Sequence, residues 1–333
     1  MRTARHLSPV LLGAVLALTA CGAPDGGEPE AEPATEAASV PCGPPEPDPE
    51  RLSVGDGTFP VTVTDATGEV TVEEAPERIV SLSASHTEML FAIGAGDRVE
   101  AADEYSDYPE EAPTSSLSGF EPSVEAITEY DPDLVLLARS AEATAAQLED
   151  VGIPSLVLDA AQDLEDTYAQ IRMLGDVTGH TEEADAEATR VEDEFNAIVE
   201  GVCEETGDAG LSFYQELDET SYSATSDTFV GQIYASFGLV NIADEADADG
   251  AAGGYPQLSQ EYVVEQNPDL IFLSYGDEST VADVAGRPAF DTVTAVRNDA
   301  VYLLDADIAS RWGPRVVEFA ELVGQAVTEN AAD

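Results

Sequence analysis

The stretch Ser123-Val-Glu-Ala-Ile-Thr-Glu-Tyr-Asp-Pro-Asp-Leu-Val-Leu-Leu137 decides the fold, because the chain repeats it as Ser259-Gln-Glu-Tyr-Val-Val-Glu-Gln-Asn-Pro-Asp-Leu-Ile-Phe-Leu273. Seven of the fifteen positions are identical without a gap. In each copy a Ser is placed to cap a short helix, and Pro132 or Pro268 ends that helix because the residue before proline avoids helical geometry. An apolar run follows at once. The repeat therefore predicts two related halves, each built on a helix–turn–strand unit.

Short apolar runs alternate with helical stretches around both copies of the repeat. A hairpin is predicted around an Asp-Ala-Thr-Gly turn at residues 65–68, and a helix over 86–94 with Ser85 as its cap. Predicted strands cover residues 78–83, 99–105, 134–138, 155–159, 211–217, 269–274 and 300–304. Further helices are predicted over residues 229–237 and 314–328. Alternating strands and helices indicate parallel sheets with helices on their faces.

The middle of the chain is helical in pattern, with a break at Thr178-Gly179. Glu182–Val202 contains no Pro and only one Gly, Gly201 near its end, and its apolar residues recur every three or four positions, which predicts one long helix. The predicted fold is α/β, with two Rossmann-like lobes of mostly parallel strands (residues 58–166 and 206–330) joined by a helical segment (167–205). We expect a ligand cleft between the lobes, and little closure because the connecting helix is stiff.

The N-terminus has the pattern of a secretion signal. Arg2 and Arg5 precede a fourteen-residue uncharged stretch, Leu7–Ala20, which is too short to span a bilayer. Small residues then lead into Cys21, as in bacterial lipoprotein signals, whose Cys becomes the lipidated N-terminus. We predict a signal peptide over residues 1–20 and an extracytoplasmic protein held at the cell membrane by lipid on Cys21 alone. An ordinary signal peptide with a chance cysteine is the alternative.

Residues 21–57 are predicted to be a disordered acidic linker. Gly22–Glu50 holds eight Pro and eight acidic residues and no basic or aromatic residue, a composition that cannot bury a core. Cys42 lies in this segment, and Cys203 lies near the end of the predicted long helix. Because export permits disulfides, we expect a bridge between them, with two unpaired thiols as the alternative.

The charge balance excludes several classes of partner. The 333 residues carry 68 Asp and Glu against 12 Arg, with no Lys and a net charge of −56. Such a chain cannot offer the basic patch that nucleic acid or an anionic lipid surface requires. Motifs of hydrolases, nucleotide-binding loops and zinc proteases are absent, so no enzyme is expected. Only His86 and His180 remain after signal removal, too few for a bare transition-metal site, and no EF-hand spacing suggests calcium.

This organisation resembles the substrate-binding proteins of ABC importers for ferric siderophores, haem and cobalamin. The similarity covers residues 58–330 and is carried in order by Ala75–Leu82, Tyr105–Pro109, Glu125–Val135, Tyr255–Glu261, Asn267–Ile271 and the stretch 287–302. It implies a monomer with no cofactor of its own that captures a metal-containing small molecule and passes it to a permease dimer with its ATPase. In that family an acidic residue on each lobe docks onto the permease, and Glu125 and Glu261 match those positions. The alternative is that both simply favour the helix dipole.

The ligand is expected on loops that follow the strand ends, where the lobes face each other. The candidate ligand-binding residues are His86, Tyr105, Tyr108, Phe120, Arg139, Tyr222, Tyr255, Tyr275, Asp307, Arg311 and Trp312. Four of these also match ligand-contacting positions of the cobalamin-binding member, namely Tyr105, Tyr222, Tyr255 and Asp307. Each has a structural alternative: a tyrosine at the rim, a tryptophan in the core, a histidine at a helix start, or an arginine paired with an acid.

The side chains favour a ferric siderophore as the ligand. Arg139 and Arg311 suit the planar oxygen acceptors of a carboxylate or hydroxamate chelate. Tyr255 and Phe120 stand where the cobalamin-binding member has Trp. Cobalamin or haem is the alternative ligand, and a surface adhesin without transport is the alternative of another class.

Overall fold

The computed structural model describes residues 40–46 and 57–331, so Cys21 and the predicted signal peptide lie outside the described residues. The strands are β1 Val61–Thr64, β2 Glu69–Val72, β3 Ile79–Leu82, β4 Val99–Asp103, β5 Thr114–Leu117, β6 Leu134–Ala138, β7 Ser155–Leu158, β8 Ser212–Glu216, β9 Val240–Asn241, β10 Leu270–Leu273 and β11 Val301–Leu303. The helices are α1 Ala84–Ala92, α2 Val124–Thr128, α3 Glu142–Asp150, α4 Leu164–Thr178, α5 Thr181–Thr206, α6 Phe229–Ser236, α7 Gln260–Gln266, α8 Glu278–Ala285, α9 Thr294–Arg297 and α10 Val316–Asn330. In this part of the chain no helix combines the length and apolar character that a membrane span needs.

The N-terminal lobe is built on a five-stranded parallel sheet in the order β5-β4-β3-β6-β7. All four residues of β3 are buried, because helices cover both faces of the sheet and its central strand meets no solvent. Ile79 is paired with Val99 on one side and with Leu134 on the other. The predicted hairpin is present as an antiparallel pair in which Val61 lies opposite Val72. The carboxyl ends of five parallel strands therefore share one edge of this lobe.

The C-terminal lobe carries a four-stranded parallel sheet in the order β11-β10-β8-β9. Aromatic rings fill its core. Tyr234 lies 4.3 Å from Phe213, 5.0 Å from Phe272 and 5.4 Å from Phe319 between ring centroids. These contacts fix α6 and α10 against the sheet, since buried aromatic pairs stabilise packing beyond their area alone.

Both copies of the repeat do the same structural work. Ser123 accepts a hydrogen bond from the Ala126 amide at 3.4 Å, and Ser259 accepts one from the Tyr262 amide at 3.1 Å, so both Ser residues are N-caps as predicted. After each helix, the Asp of the Pro-Asp-Leu run accepts backbone amides where the neighbouring strand begins. Asp133 receives the amides of residues 77 and 78, and Asp269 receives the amide of residue 212, at 2.9 to 3.0 Å. The repeated Asp thus sets the register of β6 against β3 and of β10 against β8.

The 26-residue helix α5 is continuous, and it packs against α4 on the N-terminal side and α10 on the C-terminal side. Gly179, with φ 74°, ends α4 at the predicted break. Ala188, Val191 and Phe195 are buried as predicted. At its C-terminal end α5 approaches α10 so closely that a Cβ on Gly324 would lie 3.0 Å from Val202. One continuous hydrophobic cluster runs from the first sheet through α5 into the second sheet, which ties both lobes to the same rod.

The structure also departs from the prediction in places. Helix α1 begins at Ala84 with Ser83 as its N-cap, so the predicted start at His86 with Ser85 as the cap was wrong. The reason is that Ser83 keeps the extended backbone of β3, whereas Ser85 is already helical. The short strands β5 and β9 were not predicted, because their sequences lack alternation. Cys42 is bonded to Cys203, with a Cα–Cα distance of 5.6 Å, so residues 40–46 are held at the C-terminal end of α5.

Candidate functional site

The two lobes face each other across a cleft at the carboxyl ends of their strands. The larger part of it, here the large cavity, has a volume of about 820 Å³ and lies between residues 160–162 of the N-terminal lobe and the loops 225–230 and 244–255 of the C-terminal lobe. A smaller part, the small cavity, has about 190 Å³ and lies beside the ends of β3, β4 and β6. Ser310 and Trp312 line both cavities, so the two are parts of one site.

Exposed aromatic side chains flank the cleft on both lobes. Tyr105 and Phe120 lie edge to face with ring centroids 5.9 Å apart, and they are 55% and 66% exposed. Tyr255, which is 48% exposed, lines the large cavity from the opposite lobe. Exposed aromatic groups that cluster around a cleft mark a binding site more strongly than single exposed ones do. They offer flat surfaces on which a planar ligand can stack.

His86 is fully buried and supports Trp312. The side-chain amide of Gln170 donates to the carbonyl of Asp159, so its Oε1 is left to accept from His86 Nε2 at 3.1 Å. The other ring nitrogen, Nδ1, has no hydrogen-bond partner among the described residues. Burial lowers the pKa of His86 to about 4. The imidazole is therefore neutral near pH 7, and it meets the Trp312 ring edge-on at 6.4 Å between centroids.

Arg311 reaches across the cleft floor to the N-terminal lobe. Its guanidinium lies 2.9 Å from Glu88 and 3.0 Å from Asp107, and it also pairs with Asp307 of its own lobe at 2.8 Å. The side chain is only 9% exposed. Three carboxylates compensate one cation here, so Arg311 contributes little free positive charge to a ligand.

Arg315 completes this contact between the lobes. It approaches Glu88 with Nε at 3.1 Å and Nη2 at 2.6 Å, and its guanidinium lies 4.0 Å from the centroid of the Tyr108 ring. Glu88 is 2% exposed, so its charge is balanced by arginines from the other lobe. We refer to Glu88 with Arg311 and Arg315 as the cross-lobe ion pair.

The large cavity is acidic. Asp227, Asp244, Asp247 and Asp249 line it, and none of the residues described along its walls is Arg or His. Asp247 accepts the amides of residues 252 and 254 at 2.7 Å each, which shapes the glycine-rich loop that carries Tyr255. A ligand with carboxylate groups would meet like charge in this space, whereas a neutral or cationic one would not.

Comparisons with known proteins agree with this architecture. A family model described as periplasmic binding protein matches residues 79–308. This chain belongs to the periplasmic binding protein family. An uncharacterized ABC transporter substrate-binding lipoprotein of Bacillus subtilis, YvrC, is 30% identical over 81% of this chain and 86% of its own length. A cobalamin-binding protein of Halobacterium salinarum is 30% identical over 78% of this chain and 72% of its length. The crystal structure of the vitamin B12 binding protein BtuF of Vibrio cholerae superposes with a TM-score of 0.63 and 25% identity, covering 78% of this chain and 99% of that one.

This periplasmic binding protein brings about half of the candidate ligand residues to the cleft. Tyr105, Phe120, Tyr255, Arg311 and Trp312 line its cavities, and Asp307 lies beside Arg311. Tyr222 is exposed and forms an isolated β-bridge with Gln257. Arg139 lines a neighbouring cavity, where it pairs with Asp159 at 3.4 Å and with Glu142 at 3.2 Å.

Two predicted residues are engaged outside the cleft. Tyr108 stacks on Arg315, behind the cross-lobe ion pair. Tyr275 donates its hydroxyl to Glu216, a fully buried carboxylate that Arg287 also holds through two contacts of 2.6 Å. We refer to Glu216 with Arg287 as the internal ion pair, because both residues belong to the C-terminal lobe.

Sequence reasoning missed Asp103, Glu88 and Arg315. Asp103 is the last residue of β4 and lines the small cavity, two positions before the candidate Tyr105. The sequence signal was incomplete, because the predicted strand ran to residue 105, whereas β4 ends at Asp103. Glu88 gave no sequence signal, because nothing along the chain distinguishes it from the other acidic residues. Only the fold places arginines beside it.

The predicted docking residues lie at matching places. Glu125 and Glu261 are each the second residue of a short helix, α2 and α7, and both are exposed on separate lobes of this periplasmic binding protein. Over residues 40–46 and 57–331, no group of His, Cys, Asp and Glu is arranged to hold a metal ion.

Proposed function

We propose that this protein is the substrate-binding component of an ABC importer and that its ligand is cobalamin or a closely related corrinoid. One observation supports this choice above the others: Tyr255 and Trp312 line the large cavity together with four aspartates, and none of the described residues along its walls is cationic. Haem carries two carboxylates that need positive partners, whereas the corrin ring of cobalamin is bordered by neutral amides. The cobalamin-binding relative from Halobacterium salinarum points in the same direction.

Titration of the mature protein with cyanocobalamin, haemin and ferric hydroxamates tests this proposal. We expect cyanocobalamin to bind with submicromolar affinity and to quench the fluorescence of Trp312, which lines the cleft. Haemin should bind at least about tenfold more weakly, because its carboxylates face uncompensated acids. Binding of haemin in preference to cyanocobalamin would refute the proposal.

A cationic ferric siderophore is the second candidate. The same acidic walls that disfavour haem would favour a chelate with a positive charge, such as ferrioxamine B. The titration distinguishes the two candidates: binding of ferrioxamine B without binding of cyanocobalamin would support the siderophore. Absence of binding by every probe would instead support the adhesin alternative.

The proposal includes docking of both lobes onto a permease through Glu125 and Glu261. Their exposure and their symmetric placement in the repeat support this role. Replacing both with Arg should abolish uptake in cells while leaving the Kd for the ligand unchanged. A matched control is the pair Glu129→Arg and Glu265→Arg, which changes the same charge at the later repeated glutamates. Uptake unaffected by the first pair would argue against docking there.

Anchoring through lipid on Cys21 also belongs to this proposal. Cys21→Ala should release the protein from membranes and remove a mobility shift that depends on acylation. Continued membrane attachment of this variant would favour the ordinary signal peptide.

A further inference from the structure

The small cavity has a buried acid in its interior. Tyr105, Phe120 and Trp312 form its more exposed walls, while Asp103 and Gly119 are buried behind them. Its volume of about 190 Å³ is enough for a side group of a ligand but not for a macrocycle. The cavity is continuous with the site already described through Ser310 and Trp312.

Only one oxygen of Asp103 is used within the protein. The amide of Tyr105 donates to Oδ1 at 2.9 Å, and the hydroxyl of Ser106 donates to the same atom at 3.1 Å. No hydrogen bond reaches Oδ2 from residues 40–46 or 57–331, although the side chain is 2% exposed. Because Asp103 lines the small cavity, Oδ2 can accept a hydrogen bond from a group that enters this cavity.

Gly119 leaves that oxygen uncovered. A Cβ at this position would lie 2.7 Å from Oδ2 of Asp103, which is closer than a Cβ atom can approach, and 3.1 Å from the carbonyl of Leu82. Because Gly119 and Asp103 both line the small cavity, the absence of a side chain at 119 opens Oδ2 toward the cavity.

Arg311 does not supply a hydrogen-bond donor to Oδ2 of Asp103. Arg311 also lines the small cavity, but its guanidinium is engaged with Glu88, Asp107 and Asp307 at 2.8 to 3.0 Å. The cavity therefore favours a group that donates a hydrogen bond and disfavours an anion. Amide and ammonium groups meet both conditions.

We propose that Asp103 is a specificity-determining residue whose Oδ2 accepts a hydrogen bond from an N–H group that the ligand inserts into the small cavity. This inference rests on the proposed function: for a corrinoid the donor is a peripheral carboxamide, and for a cationic chelate it is an ammonium group. A ligand with a carboxylate at the same place is rejected by charge repulsion and by the loss of the donor.

Two matched pairs of probes test it with the mature protein. The first is cyanocobalamin against cyanocobalamin with one peripheral amide hydrolysed to carboxylate, each hydrolysis isomer measured separately. The second is ferrioxamine B, which has a free ammonium, against cyclic ferrioxamine E, which has none. In one of the two pairs the wild type should prefer the donor by at least about tenfold in Kd.

Asp103→Asn is the informative variant, because it keeps an oxygen for Tyr105 and Ser106 but presents a donor where Oδ2 was. The preference should fall to about twofold or less, and binding of the donor probe should weaken at least about tenfold. Gly119→Ala should have the same effect by covering Oδ2, and it serves if Asp103→Asn does not fold. Asp97→Asn makes the same charge change at an exposed position of the same lobe and should alter neither value.

The outcomes separate the two levels of the proposal. Preference unchanged in both Asp103→Asn and Gly119→Ala overturns the role of Asp103 even if cyanocobalamin binds. If the variants lose the donor preference only with the ferrioxamine pair, the role of Asp103 is supported and the cobalamin assignment is overturned. Failure of every donor probe to bind the wild type overturns both.

Discussion

Two buried glutamates in this protein are each paired with arginine, one within a lobe and the other between the lobes. Glu216 is fully buried and receives Arg287 and the hydroxyls of Tyr214 and Tyr275, all from the C-terminal lobe. Glu88 is 2% exposed and receives Arg311 and Arg315, which belong to the opposite lobe. A buried charge must be paired in either case, but only the second pairing depends on how the lobes are placed. The internal ion pair should therefore govern the stability of one lobe, and the cross-lobe ion pair should also govern the cleft.

Removing the internal carboxylate should have the largest effect. Glu216→Ala leaves the half-buried Arg287 without its carboxylate and removes the buried acceptor of two tyrosine hydroxyls, so the free energy of unfolding should fall by about 3–5 kcal/mol. Urea unfolding followed by circular dichroism measures this. The ligand Kd of the folded variant should stay within about twofold of wild type, since Glu216 lines neither cavity. A loss below about 1 kcal/mol would contradict the assumed burial of the pair.

Removing the cross-lobe carboxylate should destabilise somewhat less but change binding. Glu88→Ala should lower the free energy of unfolding by about 2–3 kcal/mol, because Arg311 keeps two other carboxylates. The ligand should dissociate faster, and small-angle scattering should show a wider distribution of lobe separations. Glu194→Ala is the control, because its pair with Arg190 on α5 is half exposed and contributes under about 1 kcal/mol. Unchanged ligand kinetics in Glu88→Ala would show that the pair does not control the cleft.

Lowering the pH should destabilise the N-terminal lobe through His86, which lies two residues before Glu88. Burial lowers the pKa of His86 to about 4 in the folded protein, below its usual value, so the unfolded chain takes up the proton first as pH falls. The contribution of the neutral imidazole to the free energy of unfolding is fully present above the pKa of His86 in the unfolded chain. It is lost as the pH falls from about 6.5 to about 4. From about pH 7 to about pH 5, wild type should lose about 2 kcal/mol more than His86→Gln. Parallel pH profiles of the two proteins would contradict this.

The smallest effect should come from the exposed partner of Arg311. Asp107 is 62% exposed, so Asp107→Asn should change the free energy of unfolding by less than about 1 kcal/mol. Comparing it with Glu88→Ala separates the exposed from the buried partner of one arginine. Equal effects of the two variants would mean that burial does not decide the strength of the cross-lobe ion pair.

The framework was predictable from the sequence because local signals specify it. The repeated Ser, Pro and Asp predicted the strands that border the cleft, and the uninterrupted pattern of 182–202 predicted α5. The pairing of the site residues was not predictable in the same way. Arg311 meets Glu88 across 223 positions of sequence, and among 68 acidic residues nothing local identifies that partner. A position after a strand places a side chain near the cleft, but its long-range partner decides whether it is free to bind.

The disulfide holds the segment around Cys42 at the end of the C-terminal lobe that lies away from the cleft. Cys42 is fastened beside Phe237 and Ser236, at the end of α6 remote from Thr228, and Thr228 lines the large cavity. The amino ends of β8 and β9 lie at that same pole, because residue 240 donates its amide to the carbonyl of residue 211. Residues 42 and 43 thus lie at the back of the C-terminal lobe, at the opposite end of α6 from the large cavity. The described segment around Cys42 therefore leaves the loops that line the large cavity uncovered.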